Sequence, residues 1–120
     1  MSEATNKILN EIRRSLYTVT ILRIIVEEGP IHGYGIRKRI EELSGGMLKP
    51  SESTVYETLK RLEKMGLIES YWCESPIGGP MRKYYRAKEV AREVLNNVLS
   101  ELERLLSVIR LSAVASPKTG

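Results

Sequence analysis

A single cysteine, Cys73, stands in the 120 residues, so no disulfide can close within one chain. Its thiol reads as a free group in a reducing compartment. Aspartate is absent altogether, and His32 is the only histidine. One imidazole with no cysteine, aspartate or second histidine nearby cannot assemble a metal site. Serine, histidine and glutamate occur without the spacing of a triad. No serine sits in a nucleophile elbow, and no phosphate-cradling glycine loop leads into a lysine followed by serine or threonine. The sequence therefore predicts no catalytic residues, no cofactor and no enzymatic activity.

Long apolar runs are missing as well. The stretch from Leu16 to Val26 is stopped by Glu27 and Glu28, short of the roughly 20 residues that a membrane helix needs. No basic start leads into an apolar segment with a small-residue cleavage site. These absences predict a cytoplasmic protein without a membrane partner.

What is there suits one globular domain with one core. Hydrophobic residues make up 42% and charged residues 28% of the chain, an ordinary balance for a soluble fold. The formal net charge of +4 attracts polyanions, but does not by itself separate nucleic acid from other acidic partners.

Apolar residues at Ile8, Leu9, Ile12, Leu16, Val19, Leu22, Ile25 and Val26 step by three and four, which predicts an amphipathic helix over 6–28. Gly29-Pro30 ends it, since glycine readily adopts the capping geometry and proline cannot continue the ladder. A second helix runs from near Gly33 to Leu43 and stops at Gly45-Gly46. A third covers Ser51 to about Lys64, with Ser51 as N-cap, Glu52 in its first turn and Gly66 beyond its end. The period then changes. Residues 67–74 and 81–86 read as strands joined by the turn segment Ser75-Pro76-Ile77-Gly78-Gly79-Pro80. Trp72 and Tyr85 are expected in the core beneath this hairpin. A last helix spans 88–111, and 112–120 reads as a frayed tail. Three helices, a hairpin and a closing helix are the plan of a winged helix-turn-helix, an α+β and mostly α fold.

The third helix carries an apolar back of Val55, Leu59 and Leu62. Its opposite face holds Ser53, Glu57, Lys60, Arg61 and Lys64, bordered by Thr54 and Tyr56. Hydroxyls and cations so arranged can meet phosphates and base edges in a major groove. A solvated amphipathic face would show the same pattern. Position favours the first reading, because this helix follows a short one and precedes the hairpin. The glycine and proline tip of that hairpin would serve any loop, but Arg82 and Lys83 follow it at once, which suits a wing on a DNA backbone. His32 either caps the second helix or touches a phosphate.

Three segments carry a family likeness. Ile21-Leu22-Arg23-Ile24-Ile25 followed by Glu28-Gly29-Pro30-Ile31-His32-Gly33-Tyr34-Gly35-Ile36 resembles the opening of PadR-family transcriptional regulators. Pro50-Ser51-Glu52-Ser53-Thr54-Val55-Tyr56 running on to Leu59-Lys60-Arg61-Leu62-Glu63-Lys64-Met65-Gly66-Leu67-Ile68 is similar to that family's recognition segment. Gly78-Gly79-Pro80-Met81-Arg82-Lys83-Tyr84-Tyr85-Arg86 resembles its wing. The three segments fall in the family's order across residues 16 to 90. After the wing, Ala87-Lys88-Glu89-Val90-Ala91 replaces the usual Leu-Thr-x-x-Gly and removes a helix-entry cap. The short C-terminal part looks like the compact branch of the family, with a single closing helix.

The resemblance implies a homodimer on double-stranded DNA at operators, with repression relieved by a small-molecule effector or a stress signal. It also implies dimerisation through the outer helices, in agreement with their apolar sides: Leu9, Ile12 and Leu16 on the first, and Val98, Leu102, Leu105, Leu106 and Ile109 on the last. The residues expected to meet DNA are Ser51, Ser53, Thr54, Tyr56, Lys60 and Arg61 on the third helix and Arg82 and Lys83 on the wing. His32 and Tyr34 are further candidates for phosphate contact. Residues 1–87 would form the DNA-binding domain and 88–111 the dimerisation helix. The rival reading is a winged helix that contacts a partner protein through the same faces.

Overall fold

The first helix, α1, spans Glu3–Glu28 and starts where the Ser2 hydroxyl accepts the Thr5 amide N–H at 3.1 Å. In this computed structural model residues 1–115 are described, with side chains as far as Leu111. Gly29 ends α1 in an extended conformation, φ −72°, and not in the left-handed geometry that glycine so often supplies. Close approach is what demands glycine there, since a Cβ would lie 2.5 Å from the Ile25 carbonyl oxygen.

Strand β1 (Ile31–His32) leads directly into α2 (Gly33–Leu43), which is followed by α3 (Glu52–Lys64), β2 (Ile68–Cys73), β3 (Arg82–Ala87) and α4 (Ala91–Ala115). Both middle helices close on the hydrogen-bond pair of a Schellman motif. At α3 the Leu67 N–H reaches the Leu62 carbonyl and the Gly66 N–H the Glu63 carbonyl; at α2, Gly46 bonds Glu41 and Gly45 bonds Glu42. Gly66 at φ 76° and Gly45 at φ 59° occupy the left-handed position that these closures require.

The three strands form an antiparallel sheet in the order β1-β3-β2. A two-residue strand leaves no alternation to read, and β1 is accordingly not expected from the sequence. The core lies where α1, α2 and α3 converge on the root of the hairpin, with Ile24, Ile36, Ile40, Leu59, Leu62 and Ile68 almost fully buried. Tyr85 is buried in the core as expected, 3% exposed. Burial, then Glu63 and Tyr56, push its phenol up to about 12, so it stays neutral.

Trp72 does not join it. The pairing Ser70↔Tyr85 and Trp72↔Lys83 puts Trp72 on the core side of the hairpin, yet its side chain is 62% exposed. Alternation fixes the face of a strand residue, not how far along the strand the core extends. Here the core ends at the level of Tyr85, and the hairpin overhangs it.

The closing helix starts at Ala91, three residues later than expected. The Lys88 N–H is engaged by the Leu67 carbonyl at 2.9 Å, and a turn bonding Ala91 to the Lys88 carbonyl precedes the helix. It also continues to Ala115, so residues 112–115 belong to the helix and not to a tail; residues 116–120 lie outside the described part. Its first turns, through Ala91 and Leu95, are part of the core. Beyond them α4 projects. The radius of gyration is 17.5 Å, against roughly 14 Å for a compact chain of this length.

Candidate nucleic-acid interface

Helix α3 presents Ser53, Glu57 and Lys60 to solvent while Val55, Leu59 and Leu62 are buried behind them. Its start is fixed by Ser51, whose hydroxyl accepts the Thr54 amide N–H at 3.1 Å and donates to the Thr54 Oγ1 at 3.0 Å. Thr58 is the buried polar exception, and donates to the Thr54 carbonyl at 2.8 Å. Ser53, Tyr56 and Lys60, with Glu52 and Glu57, line an open groove along the outer face.

A larger groove, about 550 Å³, lies between the start of α2, Tyr56 of α3 and the wing. His32, Tyr34, Tyr56, Arg82 and Lys83 come together in its lining, although they are spread over some fifty residues of sequence. Gly33 lets the Tyr56 ring lie against the start of α2, since a Cβ there would stand 2.8 Å from the Tyr56 hydroxyl and push the ring aside. Trp72 and Met81 also line this groove and are not among the residues expected to meet DNA. The overhang of the hairpin is the reason; nothing in the sequence reports how far a wing reaches past its core.

His32 is the N-cap of α2. Its Nδ1 accepts the Gly35 amide N–H at 3.0 Å, so the neutral ring carries its proton on Nε2. That nitrogen stands 3.2 Å from Arg82 Nη1, itself a donor. Two N–H groups thus converge without satisfying each other, and an anionic oxygen between them would satisfy both. Burial, and after it the charge of Arg82, hold the imidazole below its usual range, so it is neutral at neutral pH.

The outer side of the sheet carries a row of rings that ties the wing to α2. His32 stacks on Tyr34 at 6.2 Å and meets Tyr84 edge-on at 5.4 Å; Tyr84 stacks on Tyr71 at 6.1 Å. Arg86 closes the row, 4.9 Å from the Tyr71 ring and 2.8 Å from the Glu69 carboxylate. Among the described residues Arg82 and Lys83 belong to no ion pair.

The remaining expected residues are elsewhere on α3. Ser51 and Thr54 lie on the flank turned toward α1. Arg61 lies on that flank too, and its Nη2 donates to Thr18 of α1 at 3.3 Å and to Thr58 at 3.2 Å. On the outer helices, Ile12, Val98, Leu102, Leu105, Leu106 and Ile109 are exposed, as is Ile8, while Leu9 and Leu16 are half-buried. Among the described residues no cluster of three metal-ligating side chains occurs, and no helix is long and apolar enough to cross a membrane.

Comparison with known proteins finds a family and a shared fold. The profile of the transcriptional regulator PadR-like family matches residues 21–97. An uncharacterized protein of Lysinibacillus sphaericus is 31% identical over 102 residues, 85% of this chain and 92% of that protein. The crystal structure of a PadR family transcriptional regulator from Eggerthella lenta superposes with a TM-score of 0.77 at 25% identity, covering 89% of both chains. Bacillus subtilis PadR, solved in complex with operator DNA, shares the fold at 23% identity and a TM-score of 0.61, over 70% of this chain and 47% of that one. With the family profile covering well over half its length, the chain belongs to the PadR-like family of transcriptional regulators.

Proposed function

We propose that the protein represses transcription as a homodimer that lays α3 in the major groove of an operator and the wing along the adjoining backbone. The observation that carries this reading is the convergence of His32, Tyr34, Tyr56, Arg82 and Lys83 on one groove beside the exposed hydroxyl and cation face of α3. Ser53, Tyr56 and Lys60 read base edges; Arg82, Lys83, His32 and Tyr34 hold phosphates. The B. subtilis PadR that shares the fold was solved with operator DNA, which supports the same use of the winged helix.

Residues 1–87 act as the DNA-binding part, and the portion of α4 beyond the core as the dimerisation helix. The exposed apolar side chains of α1 and α4 support that division, since a lone winged helix has no use for them. The protein acts in the cytoplasm and carries out no catalysis. An apolar cavity of about 110 Å³ between α1, the end of α3 and α4, lined by Leu22, Leu62, Met65 and Leu95 among others, suits a small-molecule effector no larger than a single ring.

Selection of bound sequences from random duplexes tests the reading. The expected product is an inverted repeat whose half-site centres lie about 10 base pairs, or a small multiple of that, apart. Enrichment of a single asymmetric half-site, or of nothing, would overturn it.

A further inference from the structure

The side of α1 that packs on the core continues past the core with different chemistry. Ile21, Ile24 and Ile25 are fully buried there. Toward the N-terminus, in steps of three and four residues, the same side carries Tyr17, then Arg13 and Arg14, then Asn10. Together with Lys49, Ser51 and Thr54 these residues line a groove of about 220 Å³ between α1 and the start of α3, and none of its lining residues is acidic. The groove along the outer face of α3, by contrast, holds both Glu52 and Glu57.

The two arginines are also uncommitted. Arg13 Nη1 donates to Asn10 at 3.2 Å, and among the described residues neither Arg13 nor Arg14 takes part in an ion pair. Arg39, Arg86 and Arg92 are each held by a glutamate within 3 Å, and Lys49 stands 3.8 Å from Glu41. On α3, Thr54 and Tyr56 flank the outer face on opposite sides: Tyr56 lines the wing groove, and Thr54 lines this one. The apolar side of α1 assigned to the dimer, Leu9, Ile12 and Leu16, faces away from Asn10, Arg14 and Tyr17 and borders the groove only at Arg13, one turn from Leu9 and from Leu16, so the oligomeric state of the arginine variant is part of the test.

We propose that Arg13, Arg14 and Lys49 form a second backbone-binding site, which takes phosphates of duplex DNA on the edge of the major groove opposite the wing. The recognition helix is then bracketed by two cationic arms, the wing on one flank and α1 on the other. Two strands of phosphates border a major groove about 12 Å wide, and a helix seated in it meets one along each flank. The proposal rests on the DNA-binding reading and adds to it contacts from a helix otherwise assigned to the core and the dimer.

The test is the salt dependence of binding to a random duplex, measured by fluorescence anisotropy for three dimeric proteins: the wild type, Arg13→Ala/Arg14→Ala and Arg82→Ala/Lys83→Ala. Each double variant removes four cations per dimer, so the slope of log affinity against log salt should become shallower by up to about 4 × 0.9 in both. An Arg13→Lys/Arg14→Lys variant, which keeps the charges, should retain the wild-type slope. A shallower slope for the wing variant alone overturns the α1 site while leaving the DNA-binding reading intact. So does an Arg13→Ala/Arg14→Ala protein that sediments as a monomer, which would make the arginines part of the dimer. If the wild type binds no duplex, the underlying reading fails and this site with it.

Discussion

Helix α4 is two structures in one. Ala91 and Leu95 are buried in the core, whereas from Val98 onward Leu102, Leu105, Leu106 and Ile109 are 37–64% exposed in the single chain. The apolar period does not change between the two parts. What changes is whether another element of the same chain is there to cover it: α1 packs on the first turns, and among the described residues nothing covers the rest. Helix α1 divides differently: Ile8 and Ile12 are exposed and Ile21, Ile24 and Ile25 buried, but the two groups lie on different sides of the helix. Periodicity therefore reports that a face will be covered but not by which molecule. In the proposed dimer, folding satisfies the inner halves and association the outer ones.

Charging the outer half breaks that comparison most strongly. Leu102→Glu with Leu106→Glu puts four carboxylates into the proposed dimer interface, each costing several kcal/mol if buried without a partner, which is on the order of what holds a small dimer together. The expected outcome is a folded monomer by sedimentation, with far weaker operator binding. A double variant that stays dimeric would move the interface off α4.

The core that covers the inner halves should answer differently. Leu59 is 1% exposed behind the recognition face, so Leu59→Ala leaves a cavity and should cost about 2–5 kcal/mol of folding stability. Leu105→Ala, half-exposed in the single chain, should leave the stability of a dilute monomeric form within about 0.5 kcal/mol while weakening the dimer. Denaturant unfolding at several protein concentrations separates the two. Equal, concentration-independent losses would mean that the inner and outer parts are one cooperative core.

A smaller effect separates reading from positioning on the DNA face. Replacing Ser53, Tyr56 or Lys60 by alanine should lower the preference for operator over scrambled duplex by about 1–3 kcal/mol for each base edge left unread. Arg82→Ala with Lys83→Ala should weaken both duplexes alike. Competition titrations decide between the two patterns, and a wing variant that loses preference rather than overall affinity would make the wing a reader of bases.

Much of this is legible in the sequence because the signals are local. The Ser51 cap, the glycine closures at Gly45 and Gly66 and the three-four stripes each depend on a few neighbouring residues, and the helices follow them. Depth and direction are not local. Trp72 obeys the alternation that puts it on the core side, yet overhangs the core. Arg61 sits on the polar side of α3, yet bonds back to Thr18, because only the packed structure brings α1 alongside. The cationic pair Arg13-Arg14 is plain in the sequence. It becomes a lining of α3 only when the stripe through Ile21 and Ile24 is carried backward past the end of the core.

The smallest expected effect belongs to the inner region and depends on pH. Protonation of His32 would place a hydrogen on Nδ1, where the Gly35 N–H now donates, and would add a positive charge beside Arg82 at the start of a helix, where the macrodipole disfavours it. Burial and Arg82 already depress the imidazole in the folded protein. For a base depressed on folding, the unfolded chain binds the extra proton first. The stabilising contribution is then complete above the ordinary value of about 6.5 and is lost as pH falls from there toward the depressed folded value. Thermal unfolding between pH 7.5 and 5.5 should accordingly decline more steeply for the wild type than for His32→Asn, which keeps a capping oxygen that does not titrate. Because His32 lies away from the helices assigned to the proposed dimer, the same difference should persist when both proteins also carry Leu102→Glu and Leu106→Glu. Parallel pH profiles would show that the ring titrates alike in the folded and unfolded chains. A difference present only in the dimer would tie the His32 cap to association, and the line drawn between inner and outer regions would have to move.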